Sequence, residues 1–64
     1  MEDFKERLIV ERDELDDKLA KLEAFIGSTR FENLDERNGK LLVAQRDAMR
    51  QYSTILNVRI SILL

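Results

Sequence analysis

Gln45, Tyr52 and Arg59 stand at intervals of seven residues. On a helix they share one line and present an amide, a phenol and a guanidinium in a row. Such a set suits an anionic or planar ligand, because Arg offers a fork of donors and Tyr a stacking surface. Arg46 and Arg50 lie on a neighbouring strip and would add positive charge to a groove of that kind. A plainer reading keeps all five structural. Tyr52 and Arg59 then border a helical bundle with their polar ends in water. Arg46 and Arg50 become surface bases paired with an acidic neighbour. Both readings stand on these residues alone.

Catalysis lacks its usual parts. The chain has no histidine and no cysteine, which removes the common general base, the thiol nucleophile and every thiolate metal site. Paired-carboxylate chemistry needs a cleft that separates two pKa values, whereas these acids fall on the solvated side of a helix. Gly39-Lys40 lacks the upstream glycine and following Ser or Thr of a phosphate loop. Asp13, Glu14, Asp16 and Asp17 cluster without calcium-loop spacing, and a helix splays them apart. The expectation is a protein that is not an enzyme, with no metal and no cofactor.

The elements that position these residues follow from composition and periodicity. The chain has 64 residues, 38% of them charged and 44% hydrophobic, with no proline and only Gly27 and Gly39. This is the composition of long amphipathic helices. Asp3, with Glu6 three residues on, reads as a helix cap. Leu8, Leu15 and Leu22 recur every seven residues, with Phe4, Leu19, Phe25 and Ile26 beside them, and Glu2, Asp13, Glu14, Asp17 and Lys21 fall on the opposite face. Acid-then-base pairs four apart, Asp3–Arg7, Glu14–Lys18 and Asp17–Lys21, support that helix. The pattern predicts a helix over 3–26, closed by Gly27 in the left-handed conformation of a glycine cap. A connection over 27–34 follows, in which Ser28 and Thr29 cap one turn while Phe31 and Leu34 fold over the end of the core. Asp35 caps a second helix over 35–62, although Asn38-Gly39 leaves a start at Lys40 as the alternative.

In the second helix Leu42, Met49, Leu56 and Leu63 form one seven-residue series; Leu41, Ala48, Ile55 and Ile62 form an adjoining one. The apolar face is wider than a single partner helix covers. The expected architecture is all-α, a two-helix antiparallel hairpin in one domain over 1–64. Such a hairpin would associate, as in a coiled coil, into a homo-oligomeric helical bundle, a dimer or higher. A domain of this size buries only about 60% of its unfolded surface, and with disulfides excluded a second copy is the remaining support. The oligomer core is expected at Leu8, Leu15, Leu22, Leu42, Met49, Leu56, Ile60 and Leu63. The net charge of −2 and the few bases on any one face argue against direct DNA binding. The apolar run from Ile55 to Leu64 is about half the length of a membrane span, and no secretory signal is recognisable at the start. A cytoplasmic protein that leaves the membrane alone is expected.

The run Asp3-Phe4-Lys5-Glu6-Arg7, then Lys21-Leu22-Glu23-Ala24-Phe25-Ile26, resembles a group of small helical proteins of tailed bacteriophages and prophages. So does the later series Leu41-Leu42, Gln45, Met49, Tyr52, Leu56 and Arg59-Ile60. The resemblance covers nearly the whole chain and implies a phage setting, in the host cell cytoplasm. It implies an accessory protein of the anti-defence type that acts stoichiometrically on a host protein or sequesters a nucleotide signal. The alternative is a structural oligomerisation or scaffold module with no ligand.

Overall fold

The computed structural model describes residues 3–63; Glu2, placed above on the solvated face, and the two chain ends lie outside them. Three helices follow in order, α1 (Phe4–Ile26), α2 (Thr29–Glu32) and α3 (Glu36–Leu63). Among the described residues there is no strand.

Each helix starts on a side-chain cap. Asp3, in extended backbone, accepts the Glu6 N–H at 2.8 Å. Ser28 accepts the Phe31 N–H at 3.4 Å and opens the single turn α2. Asp35 accepts the Asn38 backbone N–H at 3.1 Å and its side-chain amide at 2.7 Å. These bonds satisfy donors that a helix start leaves free. α3 therefore begins ahead of Asn38-Gly39 rather than at Lys40.

Gly27 ends α1 by another route than a left-handed cap. Its φ is −82°, a conformation open to any residue. The helix stops because Ser28 turns the chain: its N–H and its hydroxyl both donate to the Phe25 carbonyl, at 3.0 and 2.5 Å. Phe25 and Phe31 then meet edge to face at 6.2 Å, which folds the connection over this end of the core. Of the three acid-base pairs expected along α1, Asp17–Lys21 closes at 3.1 Å.

α1 and α3 pack with contacts in opposite order along the chain. Phe4 meets Arg59, Arg12 meets Asn57, Asp16 meets Ser53 and Glu23 meets Arg50. The fully buried apolar residues are Leu8, Leu56 and Ile60, with Ile9 and Leu15 packed against them. Leu22, Leu42 and Met49 are half-buried. Leu63 departs from its expected place in the core, since it is 43% exposed. Among the described residues it is the one member of the expected core left exposed, at the last turn of α3. The molecule measures 46 × 18 × 13 Å with a radius of gyration of 14.6 Å. A compact chain of this length would have a radius of about 11 Å. Two helices side by side bury little, and the open sides of that pair are where a site must be sought.

Candidate functional site

α3 carries two neighbouring lines of residues, each with alternating steps of four and three. One line, Leu42, Arg46, Met49, Ser53, Leu56, Ile60 and Leu63, turns toward α1 and is half-buried or buried except at its last member. The other, Leu41, Gln45, Ala48, Tyr52, Ile55, Arg59 and Ile62, is exposed throughout. One residue of helical phase separates them: Leu56 is 0% exposed and Ile55 is 55% exposed. From Gln51 to Leu63 the only charged residue is Arg59. This exposed helix surface is poor in charge.

Arg59 is the polar focus of the open line. Its guanidinium carbon lies 5.8 Å from the centroid of the Phe4 ring, within the range of a cation–π contact. A hollow of about 340 Å³ opens beside it, lined by Phe4, Arg7, Leu8, Glu11 and Arg59. A shallower one, about 190 Å³, continues past Phe4 and Arg59 to Ile62 and Leu63. Among the described residues no carboxylate comes within 4.0 Å of Arg59, so the charge keeps its donors for something else. Two guanidiniums beside an aromatic ring suit a flat anion, and the larger hollow has the volume of a small-molecule site. Glu11 on its wall would oppose a second negative charge there.

The other expected binding residues divide. Tyr52 is on the open line with its ring 42% exposed, two turns from Arg59. Gln45 is exposed on the same line, and its side-chain amide donates to the Met49 sulfur at 3.9 Å. Arg50 stands apart. It lies on the opposite flank of the covered line, where its Nε donates to Glu23 Oε2 at 2.9 Å and its Nη2 to the same oxygen. The net negative charge of α1 draws it there, and Arg50 does not converge with Tyr52 or Arg59. Arg46 pairs with Asp47 at 3.0 Å.

That second flank is stitched by polar links. Arg12 Nη1 donates to Asn57 Oδ1 at 2.9 Å, and the Ser53 hydroxyl donates to Asp16 Oδ1 at 2.6 Å. Asp16 thus leaves the solvated acidic cluster to which its neighbours suggest it belongs. Among the described residues the acids do not gather into a group of three or more that would hold a metal ion. A larger hollow, about 440 Å³, is at the far end between Phe31, Leu34, Gly39 and Val43. Glu32, Asp35 and Glu36 rim it, so it repels the anions that Arg59 would attract.

Sequence reasoning missed Phe4 and Arg7. Phe4 reads as a core residue, yet it is 54% exposed. Its partner was within reach of the pattern, because two long helices running in opposite order bring the first turn of one to the last turns of the other.

A family model described as Sequestin matches residues 2–62. No curated protein and no solved structure matches the chain.

Proposed function

The chain belongs to the Sequestin family, and from that membership we propose that it acts by sequestration, binding a small, flat, anionic signal of the nucleotide class at Arg59 without transforming it. Two helices forming an antiparallel hairpin hold the site, and hairpins associate into a homo-oligomer. The observation that carries this reading is the Arg59 guanidinium over the Phe4 ring, beside Arg7, with no ion pair to Arg59 among the described residues. Phosphate needs such a fork of donors, and a base or ribose face needs an apolar wall. The family's name points to sequestration by binding. The phage-derived resemblance adds the setting: an accessory protein in the host cytoplasm, neutralising a defence signal one molecule per site.

Binding without turnover suits a chain with neither histidine nor cysteine. A sequestering protein needs affinity and copy number rather than a nucleophile or a general base. Calorimetric titration of cyclic and linear nucleotides, with chromatography of the recovered ligand, is the direct test. The ligand should return unchanged, and Arg59→Gln should weaken binding at least about tenfold, the worth of a charge-assisted hydrogen bond. Conversion of the ligand would make the protein an enzyme. Failure of every nucleotide to bind would end the sequestration of small anions.

A second reading, the scaffold module without a ligand, draws on the uncovered line of α3. It is favoured if the oligomer forms while no anion raises its melting midpoint.

A further inference from the structure

The exposed line of α3 has the spacing of a helix–helix seam, and we infer that its occupant is the same line of a second copy, with the two α3 helices antiparallel. Steps of four and three build the contact with α1, and the same steps recur one residue earlier on the open side. A surface with that period accepts the side chains of another helix between its own. The residues flanking the line on its free side, Ala44, Gln51 and Val58, carry no charge, so no ion beside it resists desolvation.

Charge selects the occupant. A partner for a surface whose last 13 described residues hold one charge must itself be nearly uncharged, and an identical surface meets that condition. Charge also selects the direction. Parallel α3 helices in register would set Arg59 against Arg59 in a desolvated layer, an arrangement that costs energy with no compensating acid. Antiparallel helices move the two guanidiniums far apart. Full overlap of the line from Leu41 to Ile62 puts the twofold axis beside Tyr52. Arg59 of one copy then reaches the Gln45–Ala48 turn of the other, where Ala48 leaves room and the Gln45 amide oxygen can accept from the guanidinium. Each end of the dimer would hold one Arg59–Phe4 site, completed by Gln45 of the second copy.

This shares Arg59 with the sequestration reading but does not require a ligand, and the experiment is done without one. The chain has no cysteine, so single introduced thiols report on the seam. Under mild oxidation Tyr52→Cys should link to itself, because only residues near a twofold axis bring their Cα atoms within the roughly 4.4–6.8 Å that a disulfide spans. Leu41→Cys and Ile62→Cys should link to each other when mixed and not to themselves. Asp47→Cys, on the far side of α3, should not link. Sedimentation of the unmodified chain at tens of micromolar should give twice the monomer mass, and Ile55→Asp should return it to one. A monomeric unmodified chain overturns the proposal, leaving the face to a foreign partner. Self-linking of Leu41→Cys and Ile62→Cys overturns the antiparallel arrangement. A dimer that binds no nucleotide would sink sequestration and leave this inference standing; a nucleotide-binding monomer would do the reverse.

Discussion

The two flanks of the α1–α3 pair are built on opposite principles. On one, Arg12–Asn57, Asp16–Ser53 and Glu23–Arg50 tie the helices together across the seam. On the other, Phe4, Tyr52, Ile55 and Ile62 remain exposed, with the Arg59 guanidinium over the Phe4 ring. The first flank uses polar residues to fix how α1 lies on α3. The second contributes little to that fit and leaves apolar surface in water. The open flank is the one we propose a second copy covers.

The sharpest way to break that contrast is to compare two adjacent residues. Leu56→Ala should destabilise by about 2–5 kcal/mol, the range for emptying a core leucine site. Ile55→Ala should cost the protomer far less. It should instead flatten the dependence of the melting midpoint on concentration, which reports association. Equal, concentration-independent losses in the two variants would mean the flanks are not distinct.

On the stitched flank, Ser53→Ala removes the donor to Asp16 without opening a large hole. A loss of about 0.5–1.5 kcal/mol in urea denaturation is expected, the usual worth of one hydrogen bond. No loss would show that the link is incidental to the packing of α1 on α3.

The start of α3 belongs to neither flank and serves as a control. Gly39 has no positive φ, and an added Cβ would stand 3.6 Å from the Phe31 ring, an ordinary contact. Gly39→Ala should therefore raise stability by about 0.5–1 kcal/mol through the helix interior, with dimer mass and anion binding unchanged. A destabilised variant would mean that Phe31 cannot give way.

The smallest effect expected is one of pH. The Asn38 side-chain amide, and after it the Asn38 backbone N–H, donate to Asp35 and hold its carboxyl below the usual carboxylate range. A carboxylate depressed in the folded state lends stability above its unfolded pKa and loses it as pH falls through the folded value. Acid titration followed by NMR should find Asp35 protonating below the ordinary aspartate range. Asn38→Ala should bring it back toward the ordinary range, while nothing on either flank moves.

Much of the fold was legible because it is local. Caps at Asp3, Ser28 and Asp35 are bonds across three residues, and the seven-residue leucine series need only helical geometry to be recognised. The site was legible in part. Tyr52, Gln45 and Arg59 were found on one line, where they remain. Phe4 and Arg7 were not, because their role comes from a residue more than fifty positions away. Arg50 reads like Arg59 by type, on a neighbouring strip, and its different role follows from a carboxylate on the other helix.

By itself, then, the amino-acid sequence determined the helices, their caps and a stripe on α3 too wide for one neighbour. Only the tertiary structure decided which of two adjoining lines α1 would cover. Those lines are one residue, 100° of helical phase, apart, and both are apolar, so local propensity has no preference between them. The choice rests on contacts distant in sequence: Ser53 is small enough to lie buried under α1 with its hydroxyl on Asp16, and Glu23 draws Arg50 to the same flank. With α1 placed there, Ile55 faces water, Leu56 is sealed, and Arg59 is left beside Phe4.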